Sequence, residues 1–431
     1  METHATERKH TWMRLDNAAL IYPATMNRSW TALFRVSAEL TEPVDPDILE
    51  VAQRKTLRRF PSFSVKLRRG AFWFYLEHSD DCPRVQQDVG NPCVRMRLAD
   101  NGGFGLRVRY YEKRIAVEFF HVLTDGTGGF VFLNTLVAEY LTLKYGATIP
   151  RGGNVLDCAE PPKPEEIEDS FAVHSGRYSM SRREPRAYHL HGTPEKDGFV
   201  HIVTGMLKTS DVLAKAREKG VTLTEYLTAV MILSADSIQR RDTPHERAYR
   251  PIKICVPINL RKIFPSVTLR NFSNYVNPGI DPRLGQYEFD EVLNIVHHFM
   301  AMEVTKKLLN VKITTNVQSE RNPFLRAMPL FVKNAAMKAV FSQVGDALST
   351  TSLSNLGAVS LPHEMKQYIT RMDLILGPLS VNPVCAGALS YNDTLYINFT
   401  RTIRESAFER EFFTRLVKLG LHVGIESNQR Y

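Results

Sequence analysis

The sequence predicts a mixed α/β protein, α/β or α+β in class, built as two layered lobes. Each half of the chain alternates strand-like and helix-like patterns. A single long stretch without such a pattern, residues 151–198, separates the halves. The length, 431 residues with 43% apolar side chains, is too great for one compact core and suits two or three. The expected division is therefore a first lobe over 1–150, a linker over 151–198 and a second lobe over 199–431.

In the first half, "EPVDPDILEVAQRKTLRRFP" starts a helix with Asp45 as N-cap and Pro46 at the first helical position, and the helix should stop before Pro61. In "SFSVKLRRGAFWFYLE", Phe63, Val65 and Leu67 alternate, Arg69-Gly70 turns, and Phe72, Phe74 and Leu76 alternate again: a hairpin with one buried face. "GLRVRYYEKRIAVEFF" reads as a second hairpin turning at Glu112–Lys113. Beyond it Phe130, Leu133, Leu136, Val137, Tyr140 and Leu141 fall at helical spacing. The stretch 151–198 is rich in proline, glycine and acid, then polar and basic, which is linker composition.

The second half restarts with the strand "FVHIVTGML". Ser210 is the expected cap of a helix ending at Gly220. Thr222 and Glu225 form a capping box, with Val221 and Tyr226 as its hydrophobic staple. "IKICVPINL", "TTSLSNLGAVSLP" and "TLYINFTRTI" read as strands. Residues 288–312 and 324–348 read as helices, and "SAFEREFFTRLVKLGLHVG" as a C-terminal helix. No solenoid repeat is present.

The net charge of +9 fits a nucleic acid, a membrane surface or a polyphosphate ligand. The basic clusters Arg54–Arg59, Lys66–Arg69 and Arg182–Arg186 lie beside apolar patterns, so solvated faces are the default reading. No nucleic-acid module is recognisable, so no nucleic acid partner is expected. The five cysteines are spread without metal-ligand spacing, so no metal site is expected. His297 and His298 are adjacent on a helix and point about 100° apart, which does not suit a shared metal. The polar N-terminus is not a signal peptide, and no apolar run approaches the ~18 residues of a membrane span. A reducing cytoplasm is the compartment these features predict.

One loop stands out. "EFFHVLTDGTGGF", residues 118–130, places His121, Asp125 and the glycines Gly126, Gly128 and Gly129 between a strand and a helix. An imidazole at a strand tip can take a proton near neutral pH. Asp125 can fix the loop by pairing with a cation. The glycines permit positive φ or a close approach, and the start of the helix offers free N–H groups. The plainer alternative is that Asp-Gly is a turn, the glycines only reverse the chain, and His121 is a satisfied loop residue.

The stretch "FFHVLTDGTGG" resembles the HxxxDG motif of the chloramphenicol acetyltransferase-like superfamily. That group includes the plant BAHD acyltransferases, peptide-synthetase condensation domains, wax ester synthases and alcohol acetyltransferases. "VPINLRKIFPSVTLRNFSNYV" (256–276) resembles the segment carrying an NLR arginine and then an asparagine-containing strand. "SNLGAVSLP" (354–362) stands where the plant branch has DFGWG. "WMRLDNAALIYP" with "LRRFPSF" resembles the opening of the alcohol acetyltransferase-like branch. Four matches in order cover most of the chain.

The resemblance implies two similar lobes, each a mixed sheet with helices, around an active-site tunnel. It implies an acyltransferase, alcohol O-acetyltransferase-like, that uses acyl-CoA such as acetyl-CoA as cosubstrate and binds no tight cofactor. His121 would be the general base on an acceptor alcohol or amine. Asp125, pointing away from substrate, would pair with Arg261 and, with Gly126, support the loop. Ser354 and Asn355 would border the tunnel as candidate oxyanion donors. An acyl carrier protein acting in trans is the alternative donor, with an amide product, and an inactive binding protein of the same fold is the other alternative. The site would lie within one chain, so a monomer suffices. Arg182, Arg183 and Arg186 are candidates for coenzyme A phosphates, against the simpler reading of a solvated segment. Two departures stand: Phe120 occupies a position where many members carry a further histidine, and DFGWG is absent, so no plant substrate transfers.

Overall fold

The structure, a computed structural model, describes residues 12–26, 30–88, 90–180 and 184–428. Strands and helices mix throughout, as the periodicities predict. The first lobe is built on a five-stranded sheet in the order Ile369–Leu376, Leu33–Leu40, Arg114–Phe120, Leu106–Tyr111, Gln86–Gln87. Its main pairs are antiparallel, and only the short edge strand pairs in parallel. A small sheet joins Trp12–Arg14 to the hairpin Val65–Arg69/Phe74–His78. The second lobe is built on an eight-stranded mixed sheet. In it Thr351–Ala358 runs parallel to both its neighbours, Ile252–Asn259 and Val384–Tyr391. One strand crosses the expected division: Ile369–Leu376, from the second half, lies at the edge of the first lobe's sheet.

Local chemistry explains the elements. Asp45 caps helix Pro46–Arg59, its carboxylate accepting from the N–H groups of Asp47 and Ile48. The turn at Glu112 takes φ 47°, closing the hairpin Leu106–Tyr111/Arg114–Phe120 with Leu106 opposite Phe119. This hairpin alternates weakly because the strand Arg114–Phe120 is buried on both faces from Ile115 onward. One core forms where Phe60, Phe63, Phe119 and Phe132 meet edge to face and stacked, at 5.2–5.6 Å between centroids. The second core surrounds helix Leu223–Asp242, which is buried over most of its length against the large sheet.

Several boundaries differ from expectation. Ser210 is not a cap. Lys208 holds that position, and Ser210 lies in the first turn, giving its hydroxyl hydrogen to Asp393 at 3.1 Å. The expected helix 288–312 is two, Phe289–Glu303 and Lys306–Arg321, because Thr305 starts a new helix by capping Leu308 N–H. The expected helix 324–348 is likewise Pro323–Ala327 and Leu330–Val344, interrupted at Pro329. Phe72 departs from the buried face of its hairpin and is exposed. The stretch 151–198 is built into the fold: Arg59 pairs with Glu166 at 2.6 Å, and Phe171 is buried. Arg186 is exposed there, while Arg182 and Arg183 lie outside the described residues.

The capping box at Thr222 is formed in full, with Glu225 Oε2 accepting from Thr222 N–H at 2.7 Å and Thr222 Oγ1 accepting from Glu225 N–H at 3.3 Å. Thr222→Ala removes a cap from the helix at the centre of the second core. It should lower stability by about 1 kcal/mol, read as a lower urea midpoint with an unchanged slope.

Candidate active site

The strand Arg114–Phe120 delivers His121 to the edge of the sheet. His121 N–H donates to Ala32 O at 2.9 Å, continuing the pairing with the strand Leu33–Leu40. The chain then turns through Val122, Leu123 and Thr124, all buried, and enters helix Gly126–Tyr145. Phe120, the departure from the two-histidine pattern, is 1% exposed and belongs to the core.

Asp125 is the N-cap of that helix. Its Oδ1 accepts from the N–H groups of Thr127 (3.1 Å) and Gly128 (3.3 Å). Its Oδ2 accepts from Arg261 Nη1 (2.8 Å) and from Phe272 N–H (2.8 Å). The carboxylate is therefore occupied on both oxygens. The N–H groups expected to be free at the helix start are taken by Asp125 itself. Arg261 is held in turn: Nε donates to Thr268 O at 2.8 Å and Nη2 to Arg270 O. Thr124 Oγ1 donates to Leu269 O at 2.6 Å, and Asn259 Nδ2 to Thr127 Oγ1 at 3.1 Å. Residues 259–272 thus clamp the motif loop from the other half of the chain.

The three glycines are not needed for positive φ, which none of them adopts. They are needed for space. A Cβ on Gly128 would lie 2.2 Å from both Leu269 O and Thr124 Oγ1, and one on Gly129 would lie 2.8 Å from the Phe34 ring. At Gly126 it would lie 2.8 Å from Leu356, which brings the "SNLG" strand against the motif.

His121 is held on three sides. Its ring stacks on Tyr22 (centroids 4.8 Å apart, 21° between planes) and meets Phe34 edge-on at 5.2 Å. Nδ1 lies 2.9 Å from Asn271 Oδ1. The Asn271 amide nitrogen is directed to two acceptors, Asp16 Oδ2 at 3.0 Å and His121 O at 2.9 Å. Those acceptors fix which end of the amide is nitrogen, so Oδ1 faces the ring and Nδ1 must be the protonated nitrogen. Nε2 is then the atom with a free lone pair. Burial pushes the His121 pKa below the ordinary 6.5, only partly offset by the charge of Asp125 and the bond to Asn271. Asp16 is fully buried. Burial raises its pKa, opposed by Arg270 at 3.7 Å and by the bond from Asn271.

His121, Asp125, Gly126, Ser354 and Asn355 all border one cavity of about 970 Å³, lined mostly by apolar atoms from both halves. That volume suits a cosubstrate-sized ligand. Arg261 is behind the loop and does not line it. Asn355 gives an amide hydrogen to Thr224 Oγ1 at 3.0 Å and accepts from Gly357 N–H at 2.9 Å, so its side chain is fixed. Ser352, which sequence reasoning missed, is buried in the wall with no hydrogen-bond partner for its hydroxyl among the described residues. Asn271, Asp16 and Tyr22 were also missed; they lie far from His121 in sequence, and only the fold brings them together. Among the described residues there is no group of three or more His, Cys, Asp or Glu placed to hold a metal ion. No single described helix is long and apolar enough to cross a membrane.

The sequence matches no protein-family model, and no curated protein matches it. Solved structures do resemble it. Polyketide synthase associated protein 5 from Mycobacterium tuberculosis is 16% identical, with a TM-score of 0.64 over 94% of this chain and 97% of that one. TRI101 of F. sporotrichioides, complexed with coenzyme A and T-2, is 11% identical, with a TM-score of 0.64 over 96% and 99%. A mutant starter condensation domain of rhizomide synthetase, in complex with C8-CoA and Leu-SNAC, is 13% identical, with a TM-score of 0.59 over 95% and 94%. The chain has the fold of these condensation and acyltransferase structures, the fold that the motif resemblance implied.

Asp125 ties the helix start to Arg261, and both side chains are largely buried. Asp125→Ala should cost about 3–5 kcal/mol by leaving the guanidinium buried without its partner, measured by chemical denaturation. Asp125→Asn, which retains an acceptor oxygen, should cost less.

Proposed function

We propose that the protein is an acyl-CoA-dependent O-acyltransferase that moves an acyl group, such as acetyl, from a coenzyme A thioester to an alcohol. The observation that carries this reading is the histidine: its Nε2 lone pair is left free by the Nδ1–Asn271 bond in a cavity of cosubstrate size. The similarity to structures solved with coenzyme A and C8-CoA supports it.

His121 Nε2 takes the acceptor hydroxyl proton as the oxygen attacks the thioester carbonyl carbon. The carbonyl π electrons move to oxygen, giving a tetrahedral oxyanion. Ser354 and Ser352 are the proposed donors to it, with Asn355 shaping the wall. The intermediate collapses, the C–S bond breaks, and the proton on Nε2 passes to the departing thiolate. His121 is thereby restored. Asp125, Gly126 and Arg261 transfer no proton; they hold the loop so that the base keeps its angle. Asn271 is a positioning residue, holding the tautomer through the Nδ1 bond. A carrier-protein thioester, with an amine acceptor and an amide product, is the alternative donor route; the Leu-SNAC bound with C8-CoA in the similar condensation domain supports the amine acceptor.

The test is thiol release from acetyl-CoA with a panel of alcohols and amines. Acceptor-dependent release should fall by about 10²–10⁴-fold in His121→Ala. Equal release by both proteins contradicts the base assignment, and no release with coenzyme A thioesters, but release with carrier thioesters, moves the reading to the alternative donor.

The pH profile is a second test. A depressed histidine pKa keeps the base neutral at lower pH, so the acid limb of kcat/KM should have its midpoint below about 6.5. The same sign holds for stability. The folded state binds fewer protons at His121 than the unfolded chain, so this contribution is full above about pH 6.5 and is lost as pH falls below it. Asn271→Ala removes a bond that raises the pKa, so it should lower kcat with little change in KM and move the acid limb further down. A loss of kcat with an unmoved acid limb would leave Asn271 a merely structural role.

A further inference from the structure

The helix Leu330–Val344 is unusual in what it exposes. Phe331 is 67% exposed and Val340 57%, and Val332, Ala335, Ala336 and Ala339 are exposed between them. Just before it, Phe324 is 85% exposed. A monomeric protein seldom leaves such a run of apolar side chains in water unless the face meets something.

Within the helix and the segment leading into it, the charges have one sign. Residues 323–345 contain Arg326, Lys333 and Lys338 and no acid. Burial and the nearby Arg326 both lower the Lys333 pKa, as expected for cations without a carboxylate between them. Glu320, shortly before, is bonded to Asn17 at 2.9 Å.

A second element joins the face. The hairpin tip at 70–73 presents Phe72 and Trp73, both exposed, with the exposed cation Arg69 beside them. It is fastened to the helix by Leu330 N–H to Ala71 O at 2.9 Å and Lys333 Nζ to Phe72 O at 2.8 Å. The two elements form one surface of aromatic and aliphatic side chains among cations. Trp73, Lys333 and Val340 from this surface also line the cavity that holds His121, so the surface adjoins that cavity.

We propose that this surface docks on an anionic lipid bilayer, with the hairpin tip and the helix Leu330–Val344 lying at the interface and the cavity opening toward the lipid. Aromatic and apolar side chains flanked by cations are the chemistry that an interfacial site requires. Docking adds a property to the acyl-transfer reading: substrates partitioned into lipid reach the cavity without crossing water. The docking itself does not depend on that reading, because binding is measured without turnover.

The experiment is co-sedimentation of the full chain with vesicles of phosphatidylcholine alone and with added phosphatidylglycerol, at low and high salt. The expected result is binding to the anionic vesicles that weakens with salt and is much weaker on phosphatidylcholine. Phe324→Ser with Phe331→Ser should reduce binding at least about tenfold, from the lost interfacial burial. Lys338→Glu should reduce it by about tenfold, from reversing one charge near the surface. Circular dichroism melts confirm that the variants fold. Brominated lipid should quench tryptophan fluorescence in the unmodified chain, and Trp73→Phe should lose most of that quenching. The proposal is overturned by no binding to anionic vesicles at low salt, by variants that bind as well as the parent, or by quenching that persists in Trp73→Phe. Capture of an acidic carrier protein by the same face, with none of the vesicles bound, also overturns it.

Discussion

The Asp125 carboxylate is the constraint on which the site depends. One oxygen caps the helix Gly126–Tyr145, and the other receives Arg261 and the Phe272 amide from the second half of the chain. A single side chain therefore sets the start of a helix, the path of the loop and the contact between the halves. His121, four residues before it, has little freedom once these are set. Gly128 serves the same contact, because a side chain there would push Leu269 away and open the clamp, while Gly126 makes room for Leu356 and Gly129 for Phe34.

A second connection runs the other way, from His121 through Asn271 to Asp16. Each bond orients the next. Asp16 accepts from the amide of Asn271, which turns the amide oxygen to the imidazole and leaves Nε2 as the acceptor atom. The arrangement asks Asp16 to be buried, and Arg270 is close enough to compensate part of its charge. Stacking on Tyr22 limits rotation of the ring. The ring thus has a fixed tautomer and a fixed plane while one edge meets a large apolar cavity, the preorganisation that proton transfer favours.

Much of this was legible in the sequence, and what was not has a physical reason. The helix Pro46–Arg59, both hairpins and the capping box at Thr222 depend on neighbours within a few residues, and local rules find them. The strands Leu33–Leu40, Ile369–Leu376 and Val384–Tyr391 were not read. Val384–Tyr391 is buried at every position and so shows no alternation, and Ile369–Leu376 gains its place only by pairing with Leu33–Leu40. The long helices read at 288–312 and 324–348 kept their apolar spacing across breaks that Thr305 and Pro329 impose. At the site, the pairing of Asp125 with Arg261 came from motif resemblance, and the structure brings the two side chains within 2.8 Å. Asn271 and Asp16 carry no local signal, since their partners are separated by 150 and 255 positions. Of the two readings of the glycines, positive φ or close approach, only the close approach holds, because a sequence shows that a Cβ is missing and does not show whether backbone angle or space requires it.

The protonation of His121 is the point at which geometry becomes chemistry, and nitrogen NMR of the ¹⁵N-histidine-labelled protein reads it directly. Long-range nitrogen–proton correlations near neutral pH, assigned by comparison with His121→Gln, should show a neutral ring with the proton on Nδ1 and a free Nε2. A proton on Nε2, or a charged ring near neutral pH, would contradict the account, because the atom facing the substrate would then have no lone pair to accept a proton.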